Sequence, residues 1–371
     1  MPRFFILSNK KIKINCPNML DINMRIMYNF LYKFIFFTES TMQEEKKSII
    51  SSLLLITATA IWGFAFVAQS EAMKHIGPFT MNGLRSLLAA IFLVPVVMVS
   101  DTLKGKKITF FGTKKPEKRK YLLLGGLFCG IFVTIASTIQ QIGIQYTTVG
   151  KAGFLTTAYI VFVPVISLII GKKINWNGWV GVAVALLGMF LLCVQNFGNF
   201  SVNKGDILMI ICALFFAIHI LVIDKFVSRA DPVRMSCIQF FICALVCLVC
   251  AFIFEQPKLS SIFDAWFSIF FAGVLSAGVG YTLQIIAQKN IPSHVTPIFM
   301  SLESVFSLLA GVIVLKEEMS WQERIGCILI FIAILIAQTD FKELKAKLGK
   351  SKAAKKTAVL TADENNETTD G

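Results

Sequence analysis

Apolar residues in this chain come in blocks of about 18–22, parted by short polar breaks, and no other feature restricts its folding so severely. Wound as a helix, such a block matches the ~30 Å hydrocarbon core of a bilayer. Inside lipid no water is present to bond backbone N–H and C=O groups, so each block must satisfy them internally as helix. The period-two alternation of a membrane β-barrel is absent. Composition agrees: the 371 residues are 56% hydrophobic and 16% charged, with mean hydropathy +0.71. A soluble domain carries about 25% charged residues. The expected fold class is all-α integral membrane, with ten transmembrane helices as two inverted five-helix repeats.

The spans are predicted at 48–69, 79–99, 121–141, 152–170, 178–195, 206–226, 235–254, 264–288, 295–315 and 321–338. The net charge of +14 does not point to nucleic acid, because the basic residues sit in loops and tails. One set of alternate loops is rich in them: Lys46 and Lys47; Lys104 to Lys120; Lys172 and Lys173; Lys225, Arg229 and Arg234. The other set holds little beyond Lys74, Lys151, Lys204 and Lys258. By the positive-inside rule both termini face the cytoplasm of a bacterial cytoplasmic membrane. Cysteines such as Cys129, Cys193, Cys212, Cys243 and Cys327 lie within apolar blocks and read as small buried hydrophobes. The C-x-x-C of Cys247 and Cys250 has wholly apolar surroundings and no histidine nearby, so no metal is expected.

Residues 1–47 read as an N-terminal extension. Its one apolar patch, Met27 to Phe37, is interrupted by Lys33 and is either an interfacial helix or part of a stretch upstream of a start at Met42. Residues 48–195 and 204–339 form the two five-helix units, 196–203 an external linker, and 340–371 a disordered cytoplasmic tail.

The repeat is visible by sliding the chain on itself. A shift of 154 aligns Trp62 with Phe216, Pro78 with Pro232 and Arg85 with Gln239. A shift of 147 aligns Gly126 with Gly273, Thr134 with Tyr281, Ser137 with Gln284 and Gln141 with Gln288; a shift of 145 aligns Trp176 with Trp321. Five is odd, so the second unit enters the membrane upside down, an arrangement common in secondary transporters.

Several segments resemble the drug/metabolite transporter superfamily, EamA type. They are Trp62-Gly63-Phe64-Ala65-Phe66-Val67, Arg85, Gln145 to Phe154 with Pro164, and Asp231-Pro232 with Gln239. Tyr281-Thr282-Leu283-Gln284 with Ala287-Gln288, Ser301-Leu302-Glu303 and Lys316-Glu317-Glu318 complete the set. Ser304 stands where the family often carries proline. The resemblance covers about residues 48–338 and implies a substrate–proton exchanger, a substrate–substrate exchanger or a facilitator for small metabolites.

Among candidate site residues, Glu303 is the sharpest, because a charge at mid-bilayer costs roughly 2.5–3.5 kcal/mol. It either faces a cavity, where it suits proton coupling, or bonds between helices as structural glue. Thr134, Thr138 and Gln141 fall at i, i+4 and i+7 of the third span; Tyr281, Gln284 and Gln288 at i, i+3 and i+7 of the eighth. Their hydroxyls and amides suit a polar, zwitterionic solute or plain interhelical bonding. Arg85 either snorkels to the interface or pairs with a substrate carboxylate or Glu71. His219 lies mid-span, and Trp62 and Tyr159 shape a cavity or simply pack.

The function expected is a secondary transporter, working by alternating access on a small polar metabolite or drug-like solute with proton coupling. Its partners are the lipid bilayer, the solute and protons, with a homodimer left open and no cofactor. An intramembrane enzyme using Glu303 and His219, or a non-transporting membrane scaffold, stands as the alternative. The absence of a G-x-x-x-x-G-K-[ST] loop excludes ATP hydrolysis by that route.

Overall fold

The computed structural model describes residues 6–7, 10–11, 44–105, 108–147, 149–193, 203–315 and 320–338. The Met27–Phe37 patch, the linker up to residue 202, Lys316-Glu317-Glu318 and the tail lie outside the described residues. Apart from a small antiparallel ribbon, β1 (Ile6–Leu7) with β2 (Lys10–Lys11), the regular structure among the described residues is helical.

The first long rods are α1 (Glu44–Ala72), α2 (Pro78–Leu103) and α3 (Pro116–Gly143, extended by a 3-10 turn Ile144–Tyr146). A broken rod follows, α4 (Val149–Thr156) and α5 (Tyr159–Ile169), and then α6 (Trp176–Cys193). Next come α7 (Lys204–Val227) and α8 (Pro232–Phe254), the short α9 (Leu259–Asp264), and α10 (Trp266–Phe270). A π-helical run, Phe271–Gly280, joins α10 to α11 (Tyr281–Gln288). The second broken rod is α12 (Thr296–Met300) with α13 (Leu302–Leu315), and α14 (Trp321–Gln338) closes the series.

Among the described residues eight rods are long and apolar enough to cross a membrane. The apolar stretches of α6 and α14, Trp176–Leu191 and Arg324–Ala337, are shorter. The exterior is far more apolar than that of a water-soluble protein, and long polar side chains join the apolar core inside. Gln141, Gln239, Gln284 and Arg85 are inside, whereas Ile91, Phe241, Phe252 and Leu335 are exposed. Lipid makes an apolar exterior costless and an unpaired polar exterior expensive. The chain is a multi-pass membrane protein.

Helix starts follow from local chemistry. Proline opens α2, α3 and α8, where its missing N–H costs nothing. At α7 Asn203 and Asp206 form a capping box, with Asp206 N donating to Asn203 Oδ1 at 2.9 Å and Asn203 N to Asp206 Oδ2 at 3.0 Å.

Packing pairs α2 with α8 and α6 with α14; α3 lies on α7 and α8, while α1 lies on the π run, α11 and α13. The α1–α13 contact needs glycine, because a Cβ on Gly63 would sit 2.5 Å from Phe306 Cβ and 2.6 Å from its carbonyl carbon. The α2–α8 pair is tied at both ends. Asp101, late in α2, is ion-paired with Arg234 in the first turn of α8. At the opposite end Glu255, just past α8, accepts from Phe79 N at 2.8 Å, Thr80 N at 2.7 Å and Thr80 Oγ1 at 2.6 Å. Asp101 and Glu255 are 154 positions apart, as are Thr80 and Arg234. Arg234, counted above with the loop cations, is thus a buried half of an ion pair and is only 4% exposed.

Candidate functional site

Two interrupted rods meet at the centre of the bundle. Between α4 and α5 Thr157 Oγ1 donates to the carbonyl of Phe154 at 2.6 Å, and between α12 and α13 Ser301 Oγ donates to that of Ile298 at 2.7 Å. Each hydroxyl turns back onto a carbonyl of the preceding helical segment, a local bond that competes with regular helix pairing. Two residues past each hydroxyl stand Tyr159 and Glu303. They face each other, with Tyr159 Oη donating to Glu303 Oε2 at 3.2 Å. Glu303 lies in the first turn of α13.

This pair forms one wall of a central cavity of about 30 Å³, room for roughly two water molecules. Trp62 and Gln69 of α1, Arg85 of α2, Gln140 of α3 and Thr156 of α4 contribute other walls. Phe216, His219 and Ile220 come from α7, Ser276 from the π run, Tyr281 and Gln284 from α11, and Met300 from α12. Arg85 Nη1 donates to Gln69 Oε1 at 2.7 Å, and Gln69 Nε2 donates on to Ala65 O at 3.2 Å. Glu71, an alternative partner for Arg85, is instead exposed and bonded to Lys74 at 2.5 Å. Trp62 Nε1 donates to Ser276 O at 3.2 Å, and its ring lies 4.9 Å from that of Tyr281. His219 Nε2 lies 3.1 Å from Gln239 Oε1. With that amide oxygen as acceptor, Nε2 carries the proton.

Arg85 and Glu303 therefore share one cavity, and each is bonded to a neutral partner. Gln284 adds an amide whose Oε1 is buried without a hydrogen-bond partner, while its Nε2 meets Met300 Sδ at 3.6 Å. A guanidinium, a carboxyl, an unused amide oxygen and aromatic walls are the groups that complement a small solute with charge of both signs, and the cavity must widen beyond its two-water volume to admit one.

Of the residues singled out in the sequence, Trp62, Arg85, Tyr159, His219, Tyr281, Gln284 and Glu303 line this cavity. Thr134, Thr138, Gln141 and Gln288 do not. Thr134 Oγ1 turns back to Gly130 O at 2.6 Å, and Thr138 accepts from Asn82 Nδ2 at 3.3 Å. Gln141 Nε2 donates to Gln69 O at 3.3 Å and Gln288 Nε2 to Ile220 O at 3.4 Å, so these amides bridge helices behind the cavity. Gln69, Gln140, Thr156 and Ser276 are polar lining residues that the sequence reading missed. Gln69 had a signal, standing two turns from Trp62 on the same helix. Among the described residues no group of three His, Cys, Asp or Glu side chains is placed to hold a metal. Cys243 and Cys247 lie 4.0 Å apart as buried thiols.

Polar ties hold both ends of α7 to neighbouring segments. Thr147 Oγ1 donates to Asp206 Oδ1 at 2.9 Å near its start, and Lys172 pairs with Asp224 near its finish. A further tie joins Asn290 Nδ2 to Ser51 Oγ at 2.9 Å.

Comparison with known proteins agrees with this architecture. The EamA-like transporter family matches residues 49–194 and again 203–339. A protein of Archaeoglobus fulgidus named an uncharacterized transporter is 29% identical over 79% of this chain and 87% of its own length. The uncharacterized transporter YoaV of Bacillus subtilis is 24% identical over 78% of this chain and 97% of its own length. A solved crystal structure shares the fold with TM-score 0.61 at 17% identity, covering 78% of this chain and 96% of that one.

Proposed function

The chain belongs to the EamA-like transporter family, and from that premise we propose that it is a secondary transporter carrying a small zwitterionic metabolite across a bacterial cytoplasmic membrane. The membership and the relatives point to a transporter rather than an enzyme. The observation that carries the reading is a guanidinium and a carboxyl group in one buried cavity, Arg85 and Glu303, not bonded to each other. Arg85 receives the carboxylate of the solute; Glu303, with Tyr159 as its donor, receives the ammonium group or the coupling proton. Trp62, Tyr281 and Phe216 cover the apolar part.

Ten helices in two oppositely inserted sets, residues 48–195 and 204–339, move in alternation about this site. Support comes from the matched ends of α2 and α8, where residues 154 apart make corresponding contacts at opposite ends of the pair. The matched breaks at Thr157 and Ser301 add to it. A cavity this small is an occluded stage, and the ties Thr147–Asp206 and Lys172–Asp224 are those that part in turn. The enzyme alternative needs Glu303 and His219 within about 3 Å of one another or of substrate atoms; here Glu303 is bonded to Tyr159 and His219 to Gln239, each a neutral partner.

The test is reconstitution of the full chain in liposomes with radiolabelled zwitterionic metabolites. Saturable uptake, stimulated by the same solute on the opposite side, is expected. Flux of an active solute that is unsaturable and indifferent to trans solute would sink the proposal.

A further inference from the structure

The loop joining α2 to α3 is built in an unexpected way. Phe110 is 71% exposed and Ile108 55% exposed, although the loop is held firmly from beneath. Buried Arg234 donates from Nε to Phe110 O at 3.1 Å and from Nη2 to Thr109 O at 3.1 Å while paired with Asp101. Gly112, at φ +62°, lies against the same guanidinium, where a Cβ would come 2.5 Å from Arg234 Cζ. Arg119 braces the near side, donating to Thr113 O at 2.9 Å with its guanidinium 5.0 Å from the Phe111 ring. Beside this fixed apolar tip Lys114, Lys115, Lys118 and Lys120 are exposed, and Glu117 is the only acid between residues 108 and 120.

A phenylalanine held rigidly toward water loses the benefit of burial unless something apolar meets it. The topology rule accounts for lysines in such a loop, but not for an aromatic tip anchored by a buried ion pair. At the end of a membrane-spanning bundle, the occupant that offers apolar depth and negative charge together is the bilayer surface itself. Basic residues there are drawn to anionic headgroups, and an aromatic side chain settles at the headgroup level.

We infer that the α2–α3 loop is a seat for anionic phospholipid, with Phe110 and Ile108 inserted at headgroup depth and the four lysines gripping the phosphates. The seat acts whatever solute is carried. Through Arg234 it is connected directly to the α2–α8 pair, so the lipid bound there steadies that end of the pair.

The test uses the full chain reconstituted in vesicles of equal phosphatidylcholine and phosphatidylglycerol, extracted gently, with the retained lipid counted by native mass spectrometry. The unaltered protein should retain phosphatidylglycerol about ten-fold over phosphatidylcholine, and salt should reduce the preference. Combined Lys114→Gln, Lys115→Gln, Lys118→Gln and Lys120→Gln should bring retention close to parity without loss of folded protein, since all four side chains are exposed. Phe110→Ser alone should lower retained phosphatidylglycerol by roughly three-fold. Parity in the unaltered protein, or an unchanged preference in the fourfold variant, overturns the inference. So does loss of the preference on adding millimolar inorganic phosphate, which would make the loop a seat for free anions.

Discussion

The break between α4 and α5 and the break between α12 and α13 use one backbone device to deliver two different groups. Thr157 and Ser301 each turn a hydroxyl onto the carbonyl three residues back, and the two lie 144 positions apart. Two residues further on, one rod presents a phenol, Tyr159, and the other a carboxyl, Glu303. The same contrast recurs beside them. Arg85 reaches Gln69 of α1, whereas Gln239, 154 positions later, reaches His219 of α7. The halves share a frame and differ in charge, so the cavity is cationic on one side and acidic on the other. The shared frame places the groups, and the differences between the halves decide which of them face the cavity.

The comparison breaks most visibly at the ends of α2 and α8. Asp101→Asn strips a buried guanidinium of its counter-charge and should cost about 3–5 kcal/mol, read as lower thermal stability in detergent. Glu255→Gln, at the half-buried matching position, should cost only about 1 kcal/mol. Equal losses would mean that the two ends carry equal weight.

In the cavity, Glu303→Gln should lower proteoliposome flux about 100-fold and abolish its response to an imposed proton gradient. Tyr159→Phe, which removes only a donor, should lower flux by less than about ten-fold. A proton response that survives in Glu303→Gln removes the coupling role. Arg85→Gln makes the two arms alike and should raise the KM of a carboxylate-bearing solute about 20-fold, leaving uncharged solutes unaffected. The smallest effect belongs to the shared device: Thr157→Val and Ser301→Ala should each cost about 1 kcal/mol of stability, and to a similar extent. A clear inequality would show that the breaks differ in backbone as well as in cargo.

The sequence announced the helices plainly, because lipid leaves a long apolar block no other structure. It also announced Glu303 and Arg85, since charges inside such blocks demand a partner or a cavity. The face of α3 was not legible. Thr134, Thr138 and Gln141 make a clean polar stripe, yet the cavity is met by Gln140, about 100° around the helix. A rod at the heart of a bundle has protein on several sides, and which polar face meets the void depends on how its neighbours cross it. The breaks escaped notice for a related reason: Ala158 and Ser301 carry no proline or glycine to mark them. Arg234 looked like a loop charge until packing closed over it and its partner Asp101.

The π-helical run from Phe271 to Gly280 stands directly before Tyr281 and Gln284. Its wider coil turns less per residue than an α-helix does, so it stores a rotation in reserve. Were the run to tighten, α11 would revolve about its own axis while staying helical, and both side chains would swing off the cavity like teeth leaving a gear. Rewinding those ten residues would thus re-aim Tyr281 and Gln284 and leave the backbone helical throughout.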